Sequence, residues 1–231
     1  SFTYPLLEGS PGNRHISINL PLYNGLHSLE IGLAAGHAPS APLPFSVPGR
    51  IVVYGTSITQ GACASRPGMA YSNILSRRLD REFINLGFSG NGKGEPALAN
   101  LINEIADKSM VILDYEANTY EDLRRTLEPF IDLLRTKTPE LPILVISKIP
   151  YPREIHDPRV LAELKDRAEF QRQLVSRKTE AGDANLHFLD GSTLLGKHPH
   201  ECTTDGVHPN DHGFMKMAEN IEAKLRDIIR D

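Results

Sequence analysis

Ile51-Val52-Val53-Tyr54-Gly55-Thr56-Ser57-Ile58-Thr59 is the stretch from which the rest of the chain is best read. Four apolar residues in a row, closed by a glycine and a hydroxyl-rich turn, fit a strand covered on both faces that ends at the rim of a sheet. The pattern returns downstream. Residues 83–86 lead into Gly87-Phe88-Ser89-Gly90-Asn91-Gly92, and residues 110–113 lead into Asp114-Tyr115-Glu116-Ala117-Asn118. Residues 143–149 are nearly continuous in apolar side chains, and residues 186–189 supply a fifth run. Helical periodicity fills the intervals, over residues 69–82, 96–106 and 158–180 and in the stripes Leu123, Leu127, Phe130, Ile131, Leu134 and Phe214, Met217, Ala218, Ile221, Leu225, Ile228. Five strands, each followed by a helix or a helix-bearing connection, predict an α/β domain with a parallel sheet sandwiched between helices. Such sheets bind ligands at the carboxyl ends of their strands. That is where the hydroxyl of Ser57, the glycine-rich turn around Gly90 and the carboxamide of Asn118 fall.

Upstream, in residues 14–33, Ile16, Ile18 and Leu20, then Leu29, Ile31 and Leu33, alternate with polar partners on either side of Asn24-Gly25. This is a β-hairpin signature. A hairpin is marginal alone, so it must pack on the rest of the chain or form the tail of a larger β module. Residues 34–48, rich in Ala, Pro, Gly and Ser, read as a linker. The expected division is therefore a hairpin segment and linker over residues 1–47 and an α/β domain over residues 48–231.

At 231 residues the chain can bury one full core with room for a partial second module. Its 40% hydrophobic and 23% charged content is ordinary for a globular protein. A formal net charge of -4 provides no basic field to draw it onto nucleic acid or an anionic membrane, so no nucleic-acid partner is expected. No stretch approaches the roughly 18 apolar residues of a membrane span. The first twenty residues lack a signal-peptide layout. A start at Ser1 that runs straight into strand-like sequence is the expectation for a processed or truncated product; localisation stays open, with a secreted or periplasmic site compatible. Cys63 and Cys202 are too few for a disulfide scaffold. Because each lies near a candidate catalytic residue, a bridge between them stays open beside the reading of two free thiols.

A serine hydroxyl needs a neighbouring base, itself held in the right tautomer by a carboxylate. Asp205-Gly206-Val207-His208-Pro209, just before the last helix, supplies both from one turn: Asp205 can reach Nδ1 of His208 while Nε2 faces Ser57. The N–H of Ser57, the N–H of Gly90 and the amide of Asn118 are the natural oxyanion donors. Simpler roles compete. Ser57 can be a cap or turn serine, Gly90 a turn glycine, Asn118 a cap for the helix near Tyr120, and Pro209-Asn210-Asp211 a helix start. His198, His200, Cys202, Asp205, His208 and His212 also form a zinc-ligand rival, although their spacing matches no closed zinc pattern. Residues 147–157 share the rim, so Tyr151, Arg153 and His156, together with Thr56 and Glu116, are expected to line a substrate pocket.

These residues resemble the SGNH (GDSL-like) hydrolases, named for a Ser, a Gly, an Asn and a His in four blocks. Gly55-Thr56-Ser57 is similar to the first block, Gly90 within Phe88-Ser89-Gly90-Asn91 to the second, Asn118 to the third and Asp205-Gly206-Val207-His208-Pro209 to the last. The resemblance covers roughly residues 50–231, with the blocks in order. It implies a flavodoxin-like three-layer α/β/α domain with a five-stranded parallel sheet that hydrolyses esters or thioesters without metal or cofactor. Residues 20–25 and 29–32 further resemble the end of the β-sandwich module that some members carry. Two departures stand out. Thr56 and Ile58 flank the serine in place of the usual Asp and Leu, and Glu116 occupies a glycine position, where a carboxylate would oppose oxyanion charge unless turned away.

The resulting expectation is a serine esterase acting through an acyl-enzyme on small acyl esters, acetyl above all, on a small-molecule or carbohydrate alcohol. The low aromatic content, without Trp, speaks against a long-chain lipase pocket. A thioesterase or acyltransferase of the same fold, and an inactive carbohydrate-binding protein, are the alternatives. Oligomeric state is not legible in the residues.

Overall fold

The computed structural model describes residues 15–229. Five strands, β1 Arg50–Gly55, β2 Phe83–Gly87, β3 Lys108–Asp114, β4 Ile143–Ile146 and β5 Leu186–Leu189, form one sheet in the order β2-β1-β3-β4-β5. Every pairing is parallel. The helices are α1 Ser57–Gln60, α2 Tyr71–Leu79, α3 Pro96–Glu104, α4 Glu116–Thr119, α5 Leu123–Arg135, α6 Pro158–Glu180 and α7 Asp211–Ile228.

Strand alternation sorts the core into two layers. Ile51 and Val53 of β1, with Met110 and Ile112 of β3, pack beneath α2 and α7 through Tyr71, Ile74, Leu75, Phe214, Met217 and Ile221. Val52, Tyr54, Val111 and Leu113 face the other way, onto α3, α5 and α6 through Ile102, Leu127, Phe130, Ile131 and Leu174. Both sides of the sheet are thus covered, which explains why its inner strands β1, β3 and β4 read as continuous apolar runs. The three-layer α/β/α architecture and the flavodoxin-like strand order agree with the sequence. The order reverses between β1 and β3, and the crevice at such a reversal is where ligands of open parallel sheets bind.

Boundaries differ in small ways from those expected. The fourth strand stops at Ile146; Ser147 N–H still donates to the Leu189 carbonyl at 3.1 Å, and its hydroxyl accepts from Gly191 N–H at 2.9 Å. α2 is shorter than residues 69–82 and follows a 3₁₀ turn at Pro67–Met69.

The hairpin expected over residues 14–33 does not form. Residue 14 lies outside the described residues, and residues 15–48 contain no strand. Ile16, Ile18, Leu20, Leu29, Ile31 and Leu33 are between 43% and 59% exposed, so the alternation has no layer of this structure to pack against. The segment is instead tied at points along the α/β domain, for example by Ser46 N–H to Asp80 Oδ2 at 3.1 Å and Val47 N–H to the Asp80 carbonyl at 3.2 Å.

Candidate active site

Ser57 opens α1 at the carboxyl end of β1. Thr56 is the N-cap and closes a capping box: its hydroxyl accepts from Ile58 N–H at 3.2 Å, and the Thr59 hydroxyl accepts from Thr56 N–H at 3.3 Å. This corrects the pocket role expected for Thr56, which is 1% exposed and spends its hydroxyl on the cap. As the first helical residue, Ser57 offers a backbone N–H for which the helix holds no partner.

Asp205 and His208 come from the turn before α7. Oδ1 of Asp205 accepts from Val207 N–H at 2.9 Å and His208 N–H at 2.7 Å, while Gly206 takes φ +79°. These bonds aim Oδ2 at the imidazole, 2.7 Å from Nδ1. Nε2 of His208 lies 3.0 Å from Ser57 Oγ, across 151 positions of sequence. Burial pushes the Asp205 carboxyl upward, but the hydrogen bonds from the His208 ring and from the two backbone N–H groups outweigh it and hold it at about 2. An ionised partner on Nδ1 fixes the proton there, which leaves Nε2 as the acceptor facing Ser57. Asn210 caps α7 through Gly213 N–H at 3.0 Å, so the helix-start reading of Pro209-Asn210-Asp211 holds alongside.

The glycine-rich turn is folded back onto β1. Phe88 N–H donates to the Gly55 carbonyl at 3.0 Å, and Gly94 N–H to Tyr54 Oη at 2.8 Å, while Tyr54 donates in turn to the Glu95 carboxylate. Gly92, at φ +70°, is where only glycine fits: a Cβ there would stand 2.2 Å from the Gly55 carbonyl oxygen. Gly90 sits exposed on the rim at φ +69° with open space around its α-carbon. Asn118, in α4, directs its amide at this turn, donating to the carbonyls of Phe88, at 3.3 Å, and Asn91. It braces the Gly90 turn as it stands.

Glu116 corrects an expectation. Its side chain is turned into the protein, 3% exposed, with Arg167 Nε at 3.1 Å, Gln171 Nε2 at 2.7 Å and Lys148 N–H at 2.6 Å. Its charge is therefore matched inside the protein, away from the rim. Tyr151 is also buried, 4% exposed, beneath Lys148 Nζ at 3.6 Å from the ring centre. Arg153 and His156 are exposed on the rim loop, and Arg153 lies beside Gly206: a Cβ on that glycine would come within 3.4 Å of the Arg153 Cβ.

Sequence reasoning missed Asp114. Tyr71 and Thr59 hydroxyls donate to its Oδ2 at 2.7 and 3.0 Å, so this carboxyl seats α1 from below. Its only signal was a carboxylate closing an otherwise apolar strand.

Cys63 and Cys202 are both free, the first exposed and the second buried. Cys63, Asp205 and His208 are the one group of potential metal ligands among the described residues, with ligand atoms within 4.8 Å of one another. The rival set loses His198, His200, Cys202 and His212, which do not converge with them. No helix among the described residues is long and apolar enough to cross a membrane.

A serine beside an imidazole–carboxylate pair, on the rim of a flavodoxin-like sheet, defines a class of α/β hydrolytic proteins. Within it, residues 49–226 match the GDSL-like Lipase/Acylhydrolase family, and the chain belongs to that family. Among solved structures it is similar to a GDSL-like lipase from Bacteroides ovatus, with 38% identity and a TM-score of 0.83 over 91% of this chain and 62% of that one. The chain thus spans less than two thirds of that relative. Two more distant structures share the fold: the salicylyl-acyltransferase SsfX3 of a tetracycline biosynthetic pathway, with 22% identity, TM-score 0.58 and coverage of 80% and 57%, and a family two carbohydrate esterase from Clostridium thermocellum, with 17% identity, TM-score 0.58 and coverage of 82% and 66%. No curated protein matches the chain.

Proposed function

We propose that the chain is a serine esterase that removes small acyl groups, acetyl above all, from a carbohydrate alcohol. The observation that carries this reading is the continuous line Ser57 Oγ, His208 Nε2, His208 Nδ1, Asp205 Oδ2, with contacts of 3.0 and 2.7 Å. His208 takes the Ser57 proton as Oγ attacks the ester carbonyl, and Asp205 steadies the imidazolium. The oxyanion is received by the N–H groups of Ser57 and Gly90 and by the Asn118 amide, which exchanges a carbonyl of the Gly90 turn for it. The alcohol leaves with the proton from Nε2. Water, deprotonated by His208, then cleaves the acyl-enzyme and frees the acid.

The inward turn of Glu116 supports hydrolysis over a silent binding protein, because that reading depended on its charge facing the oxyanion. The carbohydrate esterases among the structural neighbours favour a sugar ester. Hydrolysis of p-nitrophenyl acetate tests the reading: turnover abolished in Ser57→Ala supports it, and absence of turnover with acetyl, butyryl and octanoyl esters alike contradicts it.

A further inference from the structure

We propose that residues 19–23, upstream of the family-matched stretch, form one wall of the substrate site, with the Tyr23 ring as a platform for the sugar of the leaving alcohol. This inference rests on the esterase reading above.

Leu22 is the one residue of 15–46 that is not exposed. Its side chain packs on Gly61, the left-handed C-cap of α1, where an added Cβ would stand 2.6 Å from Leu22 Cδ1. Asn19 lies against Gly68 in the same way, its amide nitrogen 3.2 Å from such a Cβ. Gln60, the last residue of α1, uses both ends of its amide: Nε2 donates to the Leu22 carbonyl at 2.9 Å and Oε1 accepts from Ser89 N–H at 2.9 Å. One side chain thereby links the upstream segment, the helix that starts at Ser57 and the turn that presents Gly90.

That anchoring sets Tyr23 against the backbone of the residue that carries the nucleophile. Its hydroxyl donates to the Ser57 carbonyl at 3.5 Å, while the residue stays 50% exposed. Covalent geometry then places the hydroxyl within about 8 Å of Ser57 Oγ. An acetyl group ends one carbon beyond the reacting carbonyl, so the alcohol half is the part of the ester long enough to extend to Tyr23. A half-exposed phenol offers a sugar both an apolar face for its C–H groups and a polar tip for its hydroxyls.

The test compares glucose pentaacetate with ethyl acetate on wild type, Tyr23→Ala and Tyr23→Phe. Tyr23→Ala is expected to lower the ratio of kcat/KM for the sugar ester to that for ethyl acetate by about tenfold, through KM, with Tyr23→Phe retaining most of it. In parallel, calorimetry should show weaker binding of glucose pentaacetate when Tyr23→Ala is added to Ser57→Ala. An unchanged ratio, equal loss on both esters, or a shift confined to acetyl-versus-octanoyl preference would overturn the platform. A wild type that hydrolyses neither ester and takes no fluorophosphonate label at Ser57 would instead sink the esterase reading itself.

Discussion

Asp114 performs no proposed chemical step, yet it holds the helix that carries Ser57. Burial raises its carboxyl to about 7, against the hydrogen bonds from Tyr71 and Thr59 and with a further push from the charge of Glu116. Its folded value exceeds the ordinary 3.8, so between about pH 4 and 7 the native protein keeps a proton that the unfolded chain releases. Its contribution to stability therefore falls as pH rises through that window. Relative to Asp114→Asn, the wild type should lose urea resistance between pH 4.5 and 7.5; a gain would contradict the burial argument. At the reacting atoms, Ser57→Ala and His208→Ala should each lower kcat by several orders of magnitude. Asn118→Ala should lower it roughly 10²–10³-fold in the same ester assay. The approach of Ser57, Asp205 and His208 to one another was legible in the sequence because Ser57 follows a strand directly and Asp205 and His208 share the turn that leads into the last helix. The direction of the Glu116 side chain was not, since its partners Arg167 and Gln171 lie 51 and 55 positions away and nothing local announces them.

At the scale of elements, the same Glu116 fastens the end of β3 to α6 and, through Lys148 N–H, to the connection after β4. Arg167 and Glu116 are both almost fully buried, and removing one partner of such a pair is far costlier than losing a surface bridge. Glu116→Ala should destabilise the protein by about 3–5 kcal/mol in urea unfolding, whereas a loss below about 1 kcal/mol would show that the charge is not held as described. The inner strands were readable because both faces are covered and the runs 51–54, 110–113 and 143–146 are unbroken, whereas the edge strands β2 and β5 carry Asn85 and His187 and are only partly buried. The upstream alternation was equally clear in pattern but misleading in outcome. A period of two records where apolar side chains point, and a strand forms only when another strand or layer receives them. Ile16, Ile18 and Leu20 meet none among the described residues. Leu22, the next position in that period, is the side chain that docks.

Across the whole molecule, the sheet order β2-β1-β3-β4-β5 brings the ends of β1, β2 and β3 together and lets α7 deliver His208 from the far end of the chain. Four short segments separated by tens of residues thereby share one rim. Fold and rim were foreseeable from the repeating strand-then-turn pattern; the contribution of residues 19–23 was not, because it depends on how that segment lies across α1. The central claim is that Ser57 is a nucleophile activated by His208, and covalent labelling reads it most directly. After treatment with a fluorophosphonate, mass spectrometry of the digested protein should find one adduct, on Ser57, formed far more slowly in His208→Ala. Labelling that leaves Ser57 untouched, or that proceeds at the same rate without His208, would contradict the account.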